Sequence, residues 1–246
     1  MFFSPTEKFD VVNFYSFKVF SLFDYSFTNA SFYLTLSVLT IFFLIFNSLA
    51  KMYLLPRVDQ FVLELIWIFV FDVLDKQIGK RGYTFFPFVL LLFLFILISN
   101  LYGILPYSFA STSHIVVTFF FSIIVWVTAI MVGIYINGFG FYKLFVPDVP
   151  IYMLPFLILI ELTSYIIRVF SLAIRLAANI TAGHVLLFTI AGFSVKLIKL
   201  NWFASLFACL VLIFVFVLEI GVAFLQAYVF ITLVCIYLND SLNLSH

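Results

Sequence analysis

Two apolar stretches near the C-terminal end of this sequence carry side chains able to move protons. Residues 156–192 hold Glu161, Arg168, Arg175 and His184. Glu161, Arg168 and Arg175 are seven residues apart. On an α-helix that spacing returns to one face, drifting by about 20° per step. Ser164, Ser171 and Asn179 extend the same polar edge. His184 lies nine residues beyond Arg175, which is about 180° round a helix and so on another face. Residues 202–238 hold Glu219 and Gln226, also seven apart, with Tyr237 and Asp240 continuing roughly along their face. If the two stretches form an antiparallel hairpin turned near 195–201, position 175 falls level with 221–226. Gln226 then lies beside Arg175, and Glu219 approaches His184. Two polar regions result, one around His184 and Glu219 and one around Glu161 and Asp240, with Arg175 between them.

Carboxylates and imidazole can pass protons along water chains, and imidazole is the group most easily tuned near neutrality. Arginine keeps its proton. Arg175 therefore cannot relay a proton, but it can repel one and attract a carboxylate. A fixed cation between two half-paths blocks direct leakage. Protons would have to cross on a mobile carboxylate, and nothing in this chain looks like that carrier, so a partner must bring it.

The elements that position these residues follow from composition. The chain has 246 residues, 66% hydrophobic and 9% charged. A soluble domain carries about 25% charged residues, so lipid must be the solvent for much of this one. A formal net charge of +1 argues against a nucleic-acid partner, which needs a concentrated basic face. No Cys/His cluster suggests a metal site, and no cofactor is expected. Cys209 and Cys235 sit in apolar runs and read as small hydrophobes.

A membrane-crossing helix needs about 20 apolar residues. Residues 1–29 are mixed and read as a surface segment with short interfacial helices. Residues 31–50 form the first span. Residues 61–74 are too short to cross and read as an amphipathic helix in the interface, with Glu64 and Asp72 as its solvated edges. Residues 83–105 and 114–136 are further spans, and His114 reads as a helix start. Residues 156–192 and 202–238 are about 55 Å each at 1.5 Å per residue, against a hydrocarbon core of about 30 Å. They must tilt steeply, held by a curved partner. The expected fold is one all-α membrane domain of about five embedded helices plus one interfacial helix. Lys51, Arg57, Lys76, Lys80 and Arg81 cluster between the first two spans, which places that side toward the cytoplasm or matrix.

At this point the residues resemble a family. Residues 171–184, Ser-Leu-Ala-Ile-Arg-Leu-Ala-Ala-Asn-Ile-Thr-Ala-Gly-His, closely resemble the signature of subunit a of F-type ATP synthases. Residues 100–109, Asn-Leu-Tyr-Gly-Ile-Leu-Pro-Tyr-Ser-Phe, followed by Thr112-Ser113-His114, are similar to its middle region. Leu225-Gln226-Ala227-Tyr228-Val229-Phe230, leading to Tyr237-Leu238-Asn239-Asp240, is similar to its C-terminal part. The pairing of His184 with Glu219 resembles the mitochondrial and alpha-proteobacterial branch.

The resemblance implies a proton-channel stator subunit, not an enzyme on its own. Arg175 would match the arginine facing the carboxylates of the rotor c-ring. His184 and Glu219 would match the inlet half-channel, and Glu161 and Asp240 the outlet. Asn179 and Gln226 would match polar residues beside the arginine, with Arg168, Ser171 and Tyr237 as further polar support. The implied partners are the c-ring, the peripheral stalk, other Fo membrane subunits and the bilayer. The N-terminus lacks a leader pattern and the chain is rich in Phe, with 37. Together these read as an organelle-encoded protein of the mitochondrial inner membrane, the alternative being a bacterial plasma membrane.

Plainer readings stand beside these. Arg168 reads equally as a snorkelling side chain or a partner of Glu161, and Asp240 as a helix-end residue. Asn100 reads as a helix–helix hydrogen bond ahead of a channel residue. A self-contained proton-coupled transporter would show inverted repeats and broken helices, and neither is found in the sequence. A purely structural membrane subunit would not explain three charges on one helix.

Overall fold

A computed structural model describes residues 10–19, 23–50, 57–105, 108–138, 140, 152–198 and 202–242. Lys51, Pro56, Pro106, the 141–150 loop and residues 199–201 of the expected hairpin turn lie outside the described residues.

Among the described residues six α-helices follow an N-terminal strand pair: α1 Asn29–Ala50, α2 Val58–Gln77, α3 Phe86–Ile104, α4 Ile115–Asn137, α5 Leu154–Ile198 and α6 Trp202–Leu242. Five segments among the described residues are long and apolar enough to cross a membrane: Asn29–Ser48, Gly79–Ile104, Ile115–Asn137, Leu154–Leu197 and Ser205–Leu242. The chain is thus an all-α membrane protein. α2 has 20 residues, longer than its expected apolar stretch. Its acidic residues and Lys76 keep it out of the membrane-crossing set.

The N-terminal segment departs from expectation. In place of interfacial helices it forms strands β1 Asn13–Val19 and β2 Phe23–Thr28, paired antiparallel with Tyr15 opposite Phe27 and Lys18 opposite Asp24. The physical reason is visible in the residues. Tyr15, Phe17 and Val19 alternate with Ser16 and Lys18, a period of two that suits a strand, and aromatic and β-branched residues favour it. The pair leads into α1 through a reciprocal cap. Ser31 N donates to Thr28 Oγ1 (3.3 Å) and Thr28 N donates to Ser31 Oγ (3.0 Å). This is the capping-box geometry with Ser in place of Glu.

The chain divides into two compact units. The first contains Met1–Phe42, Phe95–Val117 and Leu176–Gln226. Here the second half of α5 buries Ala177, Ile180 and His184 and the first half of α6 buries Glu219, Ala223 and Gln226, and the two helices meet at His184 and Glu219. The buried 108–113 segment, which includes a 3-10 turn at Ser111–Ser113, belongs to this unit. Ser108 Oγ donates to the carbonyls of Leu105 (2.7 Å) and Tyr102, so it caps the open end of α3.

The second unit contains Phe43–Leu94, Thr118–Arg175 and Ala227–His246. α2 ends on Gly79 at φ 71°, the left-handed position that favours glycine after a helix. α2 packs on α3 through Trp67 and Phe71, whose ring centroids lie 4.4 and 5.8 Å from that of Phe86. α4 buries Thr118, Ser122, Val125, Ala129 and Gly133, a stripe of mostly small residues that lets a neighbouring helix approach closely. Ala129 packs there with Tyr165, Val169 and Tyr237.

α5 has 45 residues and α6 has 41, or about 68 and 62 Å at 1.5 Å per residue. Both exceed the stretches read from hydropathy. Pro155 stands in the first turn of α5, where a missing N–H costs nothing. Lys196 stands in its last turn, where a cation suits the helix dipole.

Candidate functional site

In the first unit α5 and α6 bring two titratable groups together. His184 Nδ1 lies 3.8 Å from Glu219 Oε1, with side-chain exposures of 2% and 7%. The spacing from a turn near residue 200 predicts this pairing. The distance is beyond direct hydrogen-bond range and within the reach of one bridging water. Burying an acid beside an imidazole among apolar helices is costly, so the pair is suited to exchanging a proton.

Two glycines make room for it. A Cβ built on Gly183 would sit 2.6 Å from Glu219 Oε1. A Cβ on Gly103 of α3 would meet Ala110 Cβ at 3.3 Å and His184 Nε2 at 3.9 Å. α3 and the 108–113 segment therefore close over the imidazole from the side away from Glu219's carboxylate contact. Thr181 Oγ1 reaches the Ser113 carbonyl at 3.5 Å and the Ala177 carbonyl at 2.8 Å. Sequence reasoning missed these glycines. The signal was the small pair Ala182-Gly183 directly before His184.

Gln226 is 7% exposed, on the buried face of α6 that carries Glu219. Asn179 is half-buried. Asn100 is fully buried on α3. The expectation that Asn100 forms a helix–helix hydrogen bond fails among the described residues, where its amide has no hydrogen-bond partner.

In the second unit Arg168 Nη1 lies 3.8 Å from Asp240 Oδ2, both side chains somewhat over one-third exposed. The ion pair of Arg168 thus runs across to α6. Its Cζ also stands 5.8 Å from the centroid of the Tyr237 ring, within cation–π range. Tyr237 is 1% exposed, and its ring meets Tyr165 edge-on at 5.4 Å. The aromatic wall thus supports the guanidinium, a role for Tyr165 that the charge pattern did not reveal. Asn137 Nδ2 donates to the Ser241 carbonyl at 2.6 Å, fastening the end of α6 next to Asp240. Glu161 is half-buried on α5, about two turns before Arg168.

Arg175 is exposed on α5. Its Nη2 donates a long hydrogen bond to Ser171 Oγ at 3.4 Å. Ser171, one turn earlier, is exposed as well. One hydroxyl satisfies at most one of five guanidinium N–H donors. Of the predicted polar edge, Ser164, Ser171 and Arg175 are exposed, while Glu161, Arg168 and Asn179 are half-buried. Among the described residues no group of three His, Cys, Asp or Glu side chains could hold a metal ion.

A family model described as ATP synthase A chain matches residues 30–239. ATP synthase subunit a of Maricaulis maris (strain MCS10) is 41% identical over 255 residues, covering 99% of this chain and 98% of that protein. ATP synthase subunit a of Chondrus crispus is 40% identical over 245 residues, covering 98% of this chain and 96% of that protein.

Proposed function

Because the chain belongs to the ATP synthase A chain family, we propose that it conducts protons through two offset half-channels to and from a rotor ring of c subunits. It is the proton-translocating membrane subunit of the Fo sector and performs no ATP chemistry alone. Proton flow through it drives rotation and ATP formation elsewhere in the complex.

The observation that carries the half-channel reading is the buried His184–Glu219 pair. Two titratable groups in an apolar helix pair, 3.8 Å apart, are costly unless protons visit them. They serve as the inlet. Glu161 and Asp240 serve as the outlet, with Arg168 and Tyr237 holding Asp240 in place. Arg175, on the open face of α5, is the barrier to direct leakage. A permanent cation there is expensive against lipid and favourable against a carboxylate of the c-ring. Asn179 and Gln226 are assigned as polar support, and Ser171 orients the Arg175 guanidinium. Arg175 draws each c-ring carboxylate into its ionised form and repels a free proton, so the two half-paths never join.

The length of α5 and α6 supports a steep tilt, since about 68 Å of helix exceeds a hydrocarbon core of about 30 Å. The ring's curved wall is what holds them there. The peripheral stalk and other Fo membrane subunits complete the partners. The chain is a membrane protein with relatives in a bacterium and an alga, and we place it in the mitochondrial inner membrane, with the basic α2–α3 junction facing the matrix.

Replacing Arg175 with Ala in assembled complexes tests this. Proton-driven ATP synthesis is expected to vanish; retained coupled synthesis refutes the barrier role. Glu219→Gln is expected to slow proton uptake, and unchanged flux removes it from the path.

A further inference from the structure

Several side chains beside the 108–113 segment have no part in the reading above. Asn100 is 0% exposed and Thr112 is 2% exposed. Among the described residues neither the Asn100 amide nor the Thr112 hydroxyl has a hydrogen-bond partner. Leaving such groups dry costs about 1–3 kcal/mol each, and buried waters held by two or more polar groups commonly remove that cost. Both groups belong to segments that approach His184. Asn100 is one turn before Gly103 and shares its face of α3, and Gly103 is where α3 comes nearest His184 Nε2. Thr112 sits in the turn whose Ser113 carbonyl is reached by Thr181, three residues before His184 on α5.

The same turn leads to a second imidazole. His114 follows Ser113 directly and is half-buried. Its ring stacks on Phe109 at 5.2 Å and 23°, and its carbonyl accepts from Val117 N at 3.0 Å at the start of α4. Being a helix start accounts for its backbone. It does not account for a half-buried imidazole directly after a buried polar turn.

We propose that His114 is the outer proton-collecting residue of the inlet, passing protons through water held by Asn100 and Thr112 to the His184–Glu219 pair. This rests on the proposed role of that pair. The imidazole takes one proton at a ring nitrogen from the aqueous side and releases one to the held water. It returns to its starting charge, and only N–H and O–H bonds change. Within the helices of the first unit the other titratable side chains are Tyr33 on α1, Tyr102 on α3, His184 and Lys196 on α5, and Cys209 and Glu219 on α6. Of these classes, imidazole alone ordinarily changes charge between about pH 5 and 8.

The test measures proton uptake at fixed membrane potential in vesicles carrying the assembled complex. The pH of the loading side is varied from about 5.5 to 8.5, which brackets imidazole titration. His114→Gln and His114→Phe, the latter keeping the ring stack, are expected to match the wild type at the acid end. Toward the alkaline end, where free protons are scarce, both lose uptake several-fold. Thr112→Val, which removes the hydroxyl, is expected to slow uptake, while Thr112→Ser, which keeps it, is not; equal uptake in the two counts against the held water. Profiles of both His114 variants that superimpose on the wild type overturn the proposal. A drop by one constant factor at every pH, the mark of a packing role, overturns it too. Glu219→Gln in parallel separates the two readings. If it slows uptake while the His114 variants do not, only this inference fails; if it too leaves uptake unchanged, the pair's role fails with it.

Discussion

Gly183→Ala is the sharpest test of the inlet geometry, because its effect can be worked from distances. The added methyl would stand 2.6 Å from Glu219 Oε1, where ordinary contact begins at 3.4 Å. The carboxylate must therefore retreat by about 0.8 Å, the cheaper response because it is the free end of a flexible side chain. Misplacing a reacting group on the order of 1 Å costs up to about 100-fold in rate. Proton-driven ATP synthesis in assembled complexes is expected to fall by about 10- to 100-fold. Helix loss cannot mimic this, since Ala in a helix gains about 0.5–1 kcal/mol over Gly. Gly192→Ala is the control on the same helix, where a Cβ meets nothing within 4 Å, and it should leave synthesis unchanged. Adding Glu219→Asp to Gly183→Ala shortens the acid by one methylene, roughly 1.5 Å, and should restore part of the rate. If Gly183→Ala performs like Gly192→Ala, the claim that the carboxylate's position governs proton uptake is wrong.

Asp240→Asn should change the thermal stability of the complex by less than about 1 kcal/mol, because its ion pair with Arg168 is partly exposed and such pairs contribute little. It should nonetheless slow proton release, measured as proton-driven synthesis; an unchanged rate removes Asp240 from the outlet. Ala129→Leu forces a larger side chain against Tyr165, Val169 and Tyr237. It should destabilise the second unit by about 1–3 kcal/mol, read as a lower melting temperature in detergent. An unaltered melting temperature would show that α4 is not closely packed there.

Much of this protein was legible without coordinates, for a physical reason. A bilayer demands long apolar helices with internally bonded backbones, so five membrane-crossing helices could be read from hydropathy. Intramembrane charges are costly enough to stand out. For that reason Arg175, His184, Glu219 and Glu161 could be named from spacing alone, and a hairpin turned near residue 200 already paired His184 with Glu219. The sequence-level reading failed where the bilayer does not constrain the chain. The N-terminal segment reads as strands only if its period-two alternation outweighs its interfacial composition, and α5 and α6 extend past their apolar cores because nothing at their ends breaks a helix.

Tertiary structure decided what each charge meets. Arg168 could have paired along its own helix with Glu161, at a spacing of two turns. The fold gives it Asp240 and the Tyr237 ring, because rotation about the α5–α6 contact is set by packing around Tyr165 and Ala129 and not by charge spacing. Hydropathy likewise could not show that Asn100 is buried without a hydrogen-bond partner among the described residues. Nor could it show that Gly183 leaves the space a carboxylate needs, since both depend on the approach of other helices within a few tenths of an ångström. The sequence by itself determined that this chain lives in a membrane and which residues can handle protons. Only the packing of its helices decided which of those residues meet.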